Sequence, residues 1–279
     1  MSDPALLRSQ VRRTTLLLAI SLTLSWTVIQ LQSSVTSVTL AAIAGPGIAG
    51  IGSTVLLGAS ALASVLVGRL MDARGRRPGL ALGFAIGIVG ALLSYAGSSG
   101  GNALLFLAGI AVVGLAFGAI GLARVAAADL HPPESRARGI SLVLMGSAFG
   151  AIVGLVMVGH GHDLATVSVT YSAHFLGMYG LVLLVGPAID RIGHRLSLGV
   201  GLLIEVAGVL GLLVGGDPIT MIPAIFLVGL GWNVAFVAAT TMLADVTDVR
   251  ERGRVIGVAD AAATAASAIG SLVATEVLA

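Results

Sequence analysis

The side chains able to do chemistry in these 279 residues are thirteen acids, five histidines and fifteen arginines, with no cysteine and no lysine. That excludes thiolate metal sites, iron–sulfur clusters, cysteine nucleophiles, Schiff-base lysines and phosphate-loop lysines. Proton and charge chemistry remain. Glu205 stands at the middle of a long apolar run, His174 in the outer half of the run before it, and Asp260 near the inner end of the last. An acid or imidazole held in hydrocarbon can load and release a proton, so these three are candidates for ion coupling. His160, His162 and Asp163 form a short cluster with the donor types of a zinc site, but such close ligands on one loop fit a polar turn better. Gly97-Ser98-Ser99-Gly100 has the serine–glycine pattern of an intramembrane hydrolase. A turn needs the same residues, and a nucleophilic serine needs a positioned histidine, so no enzyme is expected. Thr23, Trp26, Thr27, Gln30 and Ser34 recur at three- and four-residue steps and share one helical face. That face either lines a solute path, with Trp26 and Gln30 as contacts, or hydrogen-bonds to neighbouring helices. Trp232 and Asn233 are a second pair of solute-contact candidates.

The elements that must position these groups follow from composition. Hydrophobic residues make up 57% and charged residues 10%, where a soluble domain carries roughly a quarter charged. A mean hydropathy of +1.04 excludes an ordinary soluble domain and a disordered chain alike. Apolar runs fall at about 14–36, 48–70, 79–98, 103–128, 139–159, 167–189, 196–214, 219–246 and 254–278, each near the roughly 20 residues needed to cross a bilayer. The expected fold class is an all-α polytopic membrane protein with about nine transmembrane helices, its first partner the lipid bilayer. Glycine-rich turns punctuate the runs, at Gly45-Pro46-Gly47 and Gly215-Gly216-Asp217-Pro218 among others. Arg8, Arg12 and Arg13 precede the first run, which is long and lacks a convincing cleavage site, so it reads as a retained span. If the N-terminus is cytoplasmic, fourteen of the fifteen arginines fall on the inside, and the turns near 45, 99, 161 and 216 carry none. This is the positive-inside pattern. The exception, Arg124, lies near the cytoplasmic end of the fourth run and can snorkel from there. Arginines scattered singly, without an aromatic platform, argue against a nucleic-acid partner.

An internal repeat organises the charges. Gly68, Asp72, Gly75 and Arg77 recur 118 residues later as Gly186, Asp190, Gly193 and Arg195, preserving G-x-x-x-D-x-x-G-x-R. Asp129, with Arg136 and Arg138, recurs 116 residues on as Asp245, with Arg252 and Arg254. Two parallel pseudo-repeated halves are expected, 1–159 with about five spans and 160–279 with about four, and parallel repeats are one construction of secondary transporters.

These residues resemble the signature of the major facilitator superfamily, a Gly-x-Leu-x-Asp-x-x-Gly-Arg-(Arg/Lys) loop between spans 2 and 3 with a weaker copy in the second half. Gly146, Gly150 and Gly154 in the fifth run are similar to the glycine motif of that family's exporters, with Ala151 where the exporters carry proline. The resemblance implies a secondary carrier moving a small organic solute by alternating access, with efflux favoured over uptake and no bound cofactor beyond protons used for coupling. It also implies that the repeated loops, including Arg76, are conformational latches. On that basis Arg76 or Arg77 is expected to meet Asp129, and Arg195 to meet Asp245. Physically, Gly68 and Gly186 allow close helix approach, Gly75 and Gly193 allow the turn, and Asp72 and Asp190 pair with loop arginines or cap a neighbouring helix. The arginine usual in the family's fourth span is absent, with Ile110 where it would be sought. Family members have twelve spans. The sixth, most of the seventh and the twelfth have no counterpart here, so the alternative is a non-transporting membrane protein that binds a partner or self-associates through unpartnered helix faces. The arginine-for-lysine bias with abundant alanine and glycine points to a GC-rich bacterium and its cell membrane.

Overall fold

The computed structural model describes residues 4–48, 50–159, 173–215 and 217–277, and every regular element among them is helical. In order these are α1 (Pro4–Ala44), α2 (Ile51–Arg74), α3 (Arg76–Ser99), α4 (Ala103–Gly121), α5 (Ala123–Leu130), α6 (Arg136–Gly159), a π-helical turn (Leu176–Gly180), α7 (Val182–Ile192), α8 (His194–Val214), α9 (Pro218–Val246) and α10 (Arg252–Val277). His160, His162 and Asp163 lie outside the described residues.

Among the described residues five helices are long and apolar enough to cross a membrane, with the α4–α5 segment Ala103–Leu130 counted as one. A sixth is the pair Ala173–Gly180 and Val182–Ile192, bent by 45°. The remaining apolar runs form α1, α6 and α10, of 41, 24 and 26 residues. At 1.5 Å per residue α1 is about 60 Å long, twice a hydrocarbon core, so its ends extend beyond the apolar run. The chain is an integral membrane protein.

Two compact units emerge from the contacts, one of Met1–Gln30 with Arg124–Val246 and the other of Leu31–Ala123 with Thr247–Ala279. Each takes helices from both sequence halves. In the second unit α4 packs on α2 and α3, and α10 packs on α2. Leu40, Leu56, Phe106 and Ile110 form a buried cluster there. Small residues bring these helices close. A Cβ on Gly90 would meet the Val113 backbone nitrogen at 2.7 Å, and one on Gly114 or Gly118 would run into the carbonyl of Leu56 or Ser60. Among lipid tails, which are as apolar as leucine, such close backbone packing replaces the hydrophobic drive as the source of helix association.

In the first unit α8 packs along α9, the π-helical turn packs on α9, and α7 packs on α6. Gly146 sets α6 against α1, since a Cβ there would overlap the Ala19 carbonyl. Hydroxyls on both sides of α1 turn back onto their own helix. Ser21, Thr23, Ser25 and Thr27 donate their hydroxyls to the carbonyls of Leu17, Ala19, Ser21 and Thr23 at 2.8–3.1 Å, one turn back in the same helix. These hydroxyls therefore satisfy themselves locally.

Candidate functional site: two helix-end clamps and an aromatic cluster

The repeated G-x-x-x-D-x-x-G segment builds the same device in each unit. Asp72, near the end of α2, accepts the backbone N–H of Gly253 at 2.8 Å and of Arg254 at 2.6 Å, the second and third residues of α10. Asp190, near the end of α7, accepts from Ala137 and Arg138 at 3.0 Å each, the second and third residues of α6. The first N–H groups of a helix have no partner within it and carry the positive end of its dipole, so a carboxylate placed there is stabilising. The glycine one turn earlier is on the same face and makes the seat. A Cβ on Gly68 would strike the Gly253 carbonyl, and one on Gly186 would lie 2.6 Å from Ser141 Oγ and 2.8 Å from Arg138 Cα. The second glycine turns the chain. Gly75 and Gly193 each join two helices as a single residue at φ of +89° and +98°, a region that L side chains rarely enter. The motif spacing thus has a physical reading of seat, clamp and turn. The clamps also cross the repeat, because the loop acid of each half holds a helix of the other.

The two clamps differ in their charges. Arg76 donates to Asp72 at 2.7 Å and to the Val249 carbonyl at 2.8 Å. Asp245 is paired not with Arg195 but with Arg136 and, at 2.9 Å, with His194. The residue beside the expected one makes the contact, because adjacent helical residues point about 100° apart. Arg136 also donates through Nε to the Ala128 carbonyl at 3.2 Å, and its repeat partner Arg252 donates to the Thr247 carbonyl at 3.1 Å. The first residue of each clamped helix therefore returns to the backbone that precedes it. Arg77 and Arg195 are exposed.

Two solute-contact candidates far apart in sequence converge. Trp26 on α1 and Trp232 on α9 both pack edge-on to Tyr179, with centroids 5.8 and 6.3 Å away. Trp232 stacks on Phe236 at 4.5 Å, and the Arg124 guanidinium lies 4.5 Å over the centre of that same Phe236 ring. Arg124 and Asn233 are buried, at 4% and 1% exposure. The Asn233 Nδ2 and Tyr179 Oη are buried without a hydrogen-bond partner among the described residues, an arrangement that costs free energy until something pairs with them. Tyr179 was not legible from spacing because it sits in the π-helical turn, where helical periodicity breaks. Arg124 was visible, but its contact with Phe236 was not. The side chain of Gln30 lies outside the described ones, as do the surroundings of Gly150 and Gly154.

Of the three ion-coupling candidates, Glu205 and His174 belong to the first unit and Asp260 to the second. Glu205 is half-buried on α8 against Gly231 of α9. His174 is half-buried, with Nδ1 3.3 Å from the Ile225 carbonyl. Asp260 is half-buried on α10, in the other unit.

The Major Facilitator Superfamily pattern matches residues 14–162 and again residues 157–279. Among curated proteins, the uncharacterized MFS-type transporter YdeG of Bacillus subtilis is 32% identical over 113 residues, 40% of this chain and 26% of that protein. The riboflavin transporter RfnT of Brucella anthropi is 31% identical over 106 residues, 38% of this chain and 27% of that protein. The alignments thus span about a quarter of the length of these relatives. The crystal structure of the human organic anion transporter MFSD10 (TETRAN) superposes with a TM-score of 0.70 at 14% identity, covering 98% of this chain and 93% of that one, a likeness of fold. With the family pattern running over nearly its whole length, the chain belongs to the Major Facilitator Superfamily of transporters.

Proposed function

We propose that the chain acts as a secondary active carrier of a small organic solute, exposing one site alternately to the two sides of a bacterial cell membrane, with export favoured and the N-terminus cytoplasmic. The observation that supports this most is the pair of equivalent clamps. Each holds a helix end through two backbone hydrogen bonds and one carboxylate, a contact that can break and re-form as a unit while a carrier changes state. The sequence halves 1–159 and 160–279 are then the repeats that exchange these contacts. Trp26, Tyr179, Trp232 and Phe236 supply ring faces and edges for a flat solute, with Asn233 as a hydrogen-bonding group. Glu205, His174 and Asp260 are the groups through which a proton gradient would be coupled.

The test is flux in proteoliposomes. Riboflavin, the solute named for RfnT, is the first probe because its ring system is flat and fluorescent. Saturable riboflavin movement that responds to a pH gradient and falls at least tenfold in Trp232→Ala supports the reading. Absence of saturable flux for riboflavin and for a panel of aromatic drugs would instead favour the non-transporting, self-associating alternative. Orientation is checked separately. The chain has no cysteine, so Ser99→Cys and Ser135→Cys give clean single labels, and a membrane-impermeant maleimide should reach position 99 only from outside and position 135 only from inside.

A further inference from the structure

We propose that the first unit carries a binding site for an anionic phospholipid, in the cleft between the start of α1 and the α5–α6 connection. The cleft has a volume of about 760 Å³, within the range of small-molecule sites. Its walls are two helices with the same pattern. On α1, Arg12 is followed at four and seven residues by Leu16 and Ala19, and on α6, Arg138 is followed at the same steps by Leu142 and Met145, all lining the cleft. Residues at these steps lie on one face. Each wall therefore runs from a guanidinium to an apolar surface over about 10 Å.

His131 closes the charged end. Its Nδ1 lies 2.9 Å from the Ala127 carbonyl, and since a carbonyl only accepts, Nδ1 carries a proton, and Nε2 donates to a phosphate oxygen when the ring is cationic. The ring is held in place by Gly139, where a Cβ would overlap it. Among the described residues no acid lines the cleft, whereas three basic side chains do. Arg12 stands just before the apolar run of α1, at the depth where lipid phosphates lie. A phosphate at Arg12, Arg138 and His131 would leave its acyl chain along Leu16, Leu142 and Met145. The Arg138 backbone already serves the Asp190 clamp, so its guanidinium is the part that answers to lipid.

The experiment uses the full chain in a neutral detergent, with native mass spectrometry counting retained lipid and thermal unfolding as a second readout. The probes are phosphatidylglycerol, phosphatidylcholine and inorganic phosphate. Phosphatidylglycerol should be retained in preference to phosphatidylcholine, and Arg12→Gln with Arg138→Gln should weaken retention about thirty-fold, the effect of two arginine contacts at a lipid surface. Arg77→Gln with Arg195→Gln removes equal charge from exposed positions elsewhere and should change nothing. Met145→Phe, which narrows the floor without touching charge, should also lower retention. The proposal fails if both lipids are held equally, if the control pair weakens retention as much, or if inorganic phosphate alone stabilises the protein as strongly as the lipid does.

Discussion

The Asp72 and Asp190 clamps share a backbone and differ in their charges. Both place a carboxylate on the second and third N–H groups of a helix, behind a glycine seat and ahead of a one-residue glycine turn. At Asp72 the residue after the turn, Arg76, folds back onto the same carboxylate at 2.7 Å. At Asp190 the equivalent residue is His194, and it goes to Asp245 instead, joining Arg136 there. Among the described hydrogen bonds, Asp190 accepts only from backbone. The geometry therefore depends on the glycines and the aspartate, while the cation is free to serve a neighbouring acid.

The seats offer the largest test of this comparison. Gly68 faces a backbone carbonyl that cannot move aside, whereas Gly186 faces Ser141 Oγ as well as the Arg138 backbone. Gly68→Ala should cost about 3 kcal/mol and Gly186→Ala about 1 kcal/mol, measured by denaturant unfolding in detergent with circular dichroism. Equal losses would mean that the two seats are equally tight.

Removing the acids comes next. Asp72→Ala loses the cap and the Arg76 ion pair and should cost about 2 kcal/mol, while Asp190→Ala loses the cap alone and should cost about 1 kcal/mol. A double-mutant cycle of Asp72 with Arg76 should return a coupling of about 0.5–1 kcal/mol. A null result would remove the distinction between the clamps.

The turns should be alike. Gly75→Ala and Gly193→Ala each force a Cβ to positive φ and should each lose about 1–2 kcal/mol. A difference above about 1 kcal/mol would show that one turn relaxes and the other does not. Smallest are Arg77→Gln and Arg195→Gln, exposed in both clamps and expected to shift stability by less than about 0.5 kcal/mol.

How much of this was legible depends on the kind of information each residue carries. The apolar runs place all the long helices, because crossing hydrocarbon demands a continuous stretch and tolerates little else. The clamp residues were legible too, since seat, acid and turn lie four and three residues apart and so encode a helix face and its end. Their partners were not. Asp72 reaches a backbone 181 residues away, and any residue type can supply an N–H. Single-residue phase was also out of reach, which is why His194 holds Asp245 where Arg195 was expected. The aromatic cluster was half legible, with Trp26 and Trp232 marked by their rarity and Tyr179 hidden by the π-helical turn that joins them.

The inward-turned hydroxyls of α1 have a mechanical consequence. Ser21, Thr23, Ser25 and Thr27 spend their donors on their own helix, so a movement of α1 against its neighbours would leave those bonds intact. Hydroxyls that read in the sequence as anchors to other helices are spent within this one.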